Sequence, residues 1–318
     1  MQCRFGMLSI CCSRSRRGPT DGASVTLNEE TSPRLHPHGA MRTDNGAVRP
    51  HNEDRVSFVT PQPGDPAEAR GSLLLVADGM GGHAAGEVAS EIAAETIRRV
   101  YYELSGPVPN VLGSAFLAAN VAISDWAKNN PECRGMGTTC TAIAIRDDSA
   151  WLAHVGDSRA YLLRDGVITQ LSDDQTLVAQ MVREGQLTPE EAQNSPVSNV
   201  ILQALGSNGE VIPVVWSEPL KLAADDVVVL CTDGLSGVVS DATIAQHAGN
   251  LPPDEACEAL IRAAHAAGAP DNVSVGVFKL VPTTDLAAAD EPVDLAGTTR
   301  RIKYVDGNSG HTRKMNLS

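Results

Sequence analysis

Five short segments of this sequence set an acid beside a Gly or Asn at the end of an apolar run or at the start of one. They are Asn52-Glu53-Asp54, Asp78-Gly79, Gly156-Asp157, Asp233-Gly234 and Asp271-Asn272. An ordinary surface acid sits in a polar run, whereas acids placed where buried strands end can converge on one rim. Converging carboxylates repel, and a cation between them keeps them ionised together. Oxygen donors without a matching His or Cys set suit Mg²⁺ or Mn²⁺ rather than Zn²⁺. A Gly after the acid also lets a backbone carbonyl approach the ion. Any single Asp-Gly is by itself a common turn; five such segments beside strand-like runs favour a shared site.

The run Gly79-Met80-Gly81-Gly82-His83-Ala84 admits a rival reading. It satisfies G-x-G-x-x-A after a strand and before a helix, the form of a dinucleotide fingerprint. Two features count against it. Asp78 would put a carboxylate next to the pyrophosphate, and the stretch 91–102, where a second strand ending in an acid is needed, has a helical pattern. No G-K-[ST] is present either, which removes a Walker-type loop.

The elements that would position these residues are readable from periodicity. Residues 73–77 form an apolar run ending at Asp78, which predicts a buried strand. A helix follows over 86–103, with Val88, Ile92, Thr96 and Val100 as its expected stripe, and Leu112, Phe116, Ala119, Ile123 and Trp126 mark a second. Residues 141–145 and 151–155 predict a strand pair, and Asp165-Gly166 a tight hairpin after 161–163. Thr188-Pro189-Glu190-Glu191 is a helix start with a capping box. Residues 227–231 predict a buried strand ending before Asp233. A helix is expected over 254–267 with Ala256, Ala259, Leu260, Ala263 and Ala264 inward, then a closing strand from Val273. Two long helices among hairpin-linked strands predict α+β layers.

The chain has 318 residues, 42% hydrophobic and only 3% aromatic, so its core must be aliphatic. Its net charge of −14 argues against nucleic acid as partner. It suits a carboxylate-rich cation site, and equally a merely soluble acidic surface. The seven cysteines are odd in number and form no CxxC array, which points to a reducing, cytoplasmic compartment. No apolar run is long enough to span a bilayer. Residues 1–40, rich in Ser, Arg, Pro and Gly, are expected to be a disordered leader. Cys11-Cys12 beside Arg14, Arg16 and Arg17 leaves lipidation as an alternative role for it, and Met41 is a second candidate start. Residues 41–282 are expected to be one domain and 283–318 a flexible tail.

Six motifs occur in order: Val48-Arg-Pro-His-Asn-Glu-Asp54, the stretch from Val76 to Ser90, Gly135-Met-Gly-Thr-Thr139, His154-Val-Gly-Asp-Ser-Arg-Ala-Tyr161, Leu230-Cys-Thr-Asp-Gly-Leu235 and Asp271-Asn272. Together they resemble the metal-dependent protein phosphatases of the 2C type in their bacterial form, over residues 42–281. The resemblance implies two packed antiparallel β-sheets flanked by α-helix pairs, an α-β-β-α sandwich. It implies a serine/threonine phosphatase with two Mn²⁺ or Mg²⁺ ions bridged by the attacking water. Asp78 would bridge both ions, Asp233 and Asp271 would hold one, and Glu53 with the Gly79 carbonyl the other. Asp54 would stand just behind, and Asp157 with Asp233 would offer a weaker third site. Arg49 would fork onto the substrate phosphate.

Where longer eukaryotic members carry His directly after Asp-Gly, this chain has Met80, which cannot donate a proton. That leaves His83 or a metal-bound water to protonate the leaving group, with helix capping as the alternative for His83. Asp174-Gln175 stands where many bacterial members have Asp-His, at the head of a variable flap beside the site. Arg159 and Ser158 are expected to be structural, and Cys140 and Cys231 small buried hydrophobes. Partners would be phosphoproteins made by a serine/threonine kinase, and the protein a monomer.

Overall fold

Alternation along single strands builds the layers. In β3 (Ser72–Met80), Leu73, Leu75 and Ala77 face one way and Leu74 and Val76 the other, all fully buried. The first set packs under α1 (Ala85–Glu103) and α2 (Val108–Asn129), and the second against another sheet. The same division recurs in β11 (Val227–Cys231) and β12 (Val273–Pro282): Val229 and Val275 pack under helices, Leu230 and Phe278 against the first sheet. The computed structural model describes residues 34–62, 64–81, 85–193, 195–207 and 211–283.

Every strand pairing among the described residues is antiparallel. One sheet runs β1 (Leu35–Asp44), β12, β11, β7 (Arg159–Arg164) and β8 (Val167–Gln170). The other runs β10 (Leu220–Lys221), β6 (Ser149–Val155), β5 (Cys140–Arg146), β3 and β2 (Asp54–Val59). The pairs β4 (Gly137–Thr138) and β9 (Val214–Val215) lie beside β3 and β6. Helices α6 (Asp241–Asn250) and α7 (Pro253–Ala266) cover the sheet of β1, β12, β11, β7 and β8, completing α-β-β-α layers. The antiparallel setting of β3 removes the parallel βαβ unit that a dinucleotide fold needs.

Three expectations change. β1 begins at Leu35, so residues 35–40, assigned to the leader, form half of a strand that pairs with β12 from Leu35↔Pro282 onward. Met41 therefore lies mid-strand opposite Gly276. The buried face of α1 has Ala89, Ala93, Ile97 and Tyr101 with the expected Thr96, while Val88, Ile92 and Val100 are half-buried on its flank. Small residues take the inner face because the start of α1 touches β3, the Gly86 backbone lying against that of Gly79. Ala263 is likewise only partly buried. Leu112, Phe116, Ala119 and Ile123 of the α2 stripe are buried as expected and Trp126 only partly, while the Asp165-Gly166 hairpin and the Thr188–Glu191 capping box stand as expected, the box with α4 (Pro189–Gln193). Residues 1–33, 284–318 and His83 lie outside the described residues. No helix among the described residues is long and apolar enough to cross a membrane.

Candidate active site

The acids meet where the two sheets end together. Asp54 opens β2 and stands opposite Asp78 of β3 in the strand register. Asp157 follows the Gly156 turn after β6, and Asp233 opens the four-residue helix α5 (Asp233–Ser236) just after β11. Asp271 precedes β12. Their fields overlap: Asp54, Asp233 and Asp157 all act on Asp78, and Asp271 acts on Glu53, Asp54 and Asp233.

Burial sets their chemistry first. It pushes the Asp54 and Asp157 carboxyls up to about 7, with Asp233 adding repulsion to both. Glu53 and Asp233 are also raised, chiefly by burial. Asp78 is held well above the carboxylate range by burial and by Asp54 and Asp233. Asp54 keeps two hydroxyl donors on Oδ2, Thr232 at 2.9 Å and Ser274 at 2.7 Å. Arg49, half exposed, pairs with Asp271 at 2.6 Å.

Four carboxylate oxygens are buried without a hydrogen-bond partner: Glu53 Oε1, Asp54 Oδ1, Asp157 Oδ1 and Asp233 Oδ1. Buried polar atoms are seldom left so, and four in neighbouring acids mark a place for positive charge. Among the described residues no group of three or more His, Cys, Asp or Glu side chains has the spacing that would hold a metal ion. Among these acids Asp271 pairs with Arg49.

The backbone around them is close-fitted. A Cβ on Gly86 would lie 2.7 Å from the Glu53 carboxyl carbon. Gly79 N–H donates to the Glu53 carbonyl at 3.2 Å, and Ser90 Oγ donates to the same oxygen at 2.6 Å. Asn272 Oδ1 accepts from Glu53 N–H at 2.8 Å, while its Nδ2 donates to the carbonyls of Asn45 and His51. Asn272 thus ties the loop bearing Arg49 to Glu53. Sequence reasoning singled out the acids but not Thr232, Ser274, Ser90 or Gly86, whose types are common anywhere. Arg159 pairs with Asp174 at 2.6 Å, the supporting role expected of it.

Residues 52–271 match the family described as Protein phosphatase 2C. The chain belongs to that family. The serine/threonine protein phosphatase PstP of Mycobacterium tuberculosis is 42% identical over 243 residues, 76% of this chain and 45% of the relative. The match thus spans less than half of that relative's length. The serine/threonine phosphatase stp of Listeria innocua is 33% identical over 244 residues, 75% of this chain and 94% of its own. Among solved structures, the catalytic domain of PstP in complex with two manganese ions superposes with a TM-score of 0.68 at 40% identity, covering 78% of this chain and 99% of that one. The sandwich is therefore the phosphatase 2C fold.

Cys133, Cys140, Cys231 and Cys257 are all free and buried. Burial pushes the thiols of Cys231 and Cys257 up to about 12 and raises that of Cys140 further.

Proposed function

We propose that this chain hydrolyses phosphoserine and phosphothreonine in proteins, using two divalent cations held by its acids. The carrying observation is the group of four buried carboxylate oxygens without partners. Asp78 would lie between two Mn²⁺ or Mg²⁺ ions, with Asp233 and Asp271 on one and Glu53 and the Gly79 carbonyl on the other. Asp157 with Asp233 would offer a weaker third place. Bound there, such ions lower the pKa of water and neutralise charge on the phosphoryl group.

The chain's own residues supply the rest. Arg49 is half exposed beside Asp271 and can turn its fork onto the phosphate oxygens of a substrate. Asp54, gripped by Thr232 and Ser274, would stand behind Asp78. Asn272 keeps Glu53 and the Arg49 loop in register. His83 is proposed as proton donor to the leaving alkoxide. Loss of phosphoserine hydrolysis with retained aryl phosphate hydrolysis in His83→Ala would support it, and equal loss on both would end it. Phosphoproteins made by a serine/threonine kinase, a monomeric state and a cytoplasmic setting go with this reading, the last supported by the free cysteines.

The test is phosphate release from phosphoserine and phosphothreonine peptides by the purified full chain, with Mn²⁺ and with excess chelator. Turnover only with Mn²⁺ is expected. No release in Mn²⁺, or equal release in chelator, would overturn the assignment.

A further inference from the structure

His154 on β6 is fully buried, and the chemistry proposed above does not use it. Both of its ring nitrogens are engaged. Nδ1 lies 2.8 Å from Oγ1 of Thr141, the residue opposite it on β5. Nε2 lies 3.1 Å from the carbonyl of Asp173, in the loop after β8. Thr141 Oγ1 also donates to the Ser158 carbonyl at 2.6 Å.

These three contacts need three protons. A carbonyl oxygen only accepts. Thr141 therefore gives its one hydroxyl proton to Ser158, and Nε2 must carry a proton to reach Asp173. Nδ1 must then carry one as well, to donate to Thr141 Oγ1. Only the imidazolium has both. The neutral ring and Thr141 together hold two protons for three contacts, so one contact opens. Ser158 is fully buried, where a carbonyl without a partner is costly. Asp173 is exposed and its contact is the longest of the three, so water can replace it. The Asp173 contact is the one that opens.

The charged groups facing the ring are Asp173 and Asp174, the latter held by Arg159 at the start of β7. The neighbouring strands β5 and β9 set Thr141 and Val214 beside His154, and neither ionises. Burial lowers the imidazole from its ordinary value, against the pull of the Asp173 carbonyl and the Asp174 charge. The neutral ring is thus the resident form at neutral pH, and the second proton arrives on the acid side.

We propose that His154 is a proton-operated latch: as the neutral Nδ1–H tautomer it leaves the Asp173 carbonyl free, and on taking a second proton at Nε2 it fastens the loop after β8 to the strands of the core. The latch is independent of the phosphatase reading.

Nitrogen-15 NMR of the histidine rings in the full metal-free chain tests it. At pH 8 the His154 ring should show a protonated Nδ1 and a bare Nε2. On acidification below about pH 6.5, an Nε2–H signal shielded from solvent exchange should appear. The Asp173 carbonyl carbon shift should move along the same titration curve, and that movement should vanish in His154→Gln. Thr141→Val removes the partner of Nδ1 and should turn the pH 8 ring into the Nε2–H tautomer. An Nε2–H tautomer in the parent at pH 8 would overturn the proposal, as would a ring that stays neutral until acid unfolding. So would an Asp173 shift that moves alike in His154→Gln and the parent. The parent and His154→Gln spectra decide the matter even if Thr141→Val does not fold.

Discussion

Asp54 and Asp78 face each other directly across two adjacent antiparallel strands, β2 and β3, with the Asp54 side chain wholly buried. Like charges so placed destabilise a sheet. Asp54 Oδ1 is left unpartnered there, a strain that a cation would relieve.

The pH dependence of the metal-free protein follows. Asp54 and Asp157 carboxyls lie at about 7 in the fold, against roughly 3.9 in an unfolded chain. Between those values the folded state holds more protons than the unfolded one, so stability falls as pH rises. The contribution is intact below about pH 4 and lost above about pH 7. The melting temperature without metal should drop by on the order of 5 °C from about pH 5 to pH 8. Asp54→Asn should flatten that slope, raise the value at pH 8 and weaken Mn²⁺ binding. A metal-free melting temperature that rises with pH would contradict this.

Gly86→Ala probes the cradle around Glu53. The added Cβ would press on the Glu53 carboxyl carbon and the Gly79 carbonyl carbon, at 2.7 and 2.8 Å. Overpacking of this kind costs about 1–3 kcal/mol. Mn²⁺ affinity should fall at least about ten-fold, with circular dichroism unchanged. Parent-like affinity in calorimetry would show that Glu53 is not needed at that place.

Removing residues 1–40 should cost more than removing 1–33. The longer deletion strips the half of β1 paired with residues 277–282 and the buried Leu35. Leu35 alone contributes about 2 kcal/mol, and a domain of this size shifts by about 2–4 °C per kcal/mol. A difference of several degrees between the two deletions is expected in thermal melts. Identical melts would mean that this half-strand carries nothing.

Alkylation should leave the proposed activity intact. Cys140, Cys231 and Cys257 are buried with thiols raised by burial, and thiolates are the reactive form. Iodoacetamide on the native chain should leave these three unmodified by mass spectrometry and activity unchanged. Rapid labelling of Cys231 with loss of turnover would put a thiol in the chemistry.

The acids were legible because each sits beside Gly or Asn at the edge of an apolar run, a pattern that survives without coordinates. The α2 stripe was legible for the same reason: large residues at helical spacing mark the inner face. On α1 that weighting pointed to Val88 and Val100, whereas close approach to β3 selected Ala89 and Ala93. Residues 35–40 read as leader because their partner strand lies more than two hundred residues away, ending at Pro282. The hydroxyls of Thr232 and Ser274 around Asp54, and the Gln175 contact with Gly156, are likewise long-range and leave no local spacing to read.

The most direct measurement counts bound Mn²⁺ by equilibrium dialysis on the parent chain and on Asp78→Asn at neutral pH. At least two ions per parent chain, and a variant that loses them along with phosphopeptide turnover, are predicted. A parent chain that binds none, or a variant that still binds two, would contradict the cation site at the centre of this account.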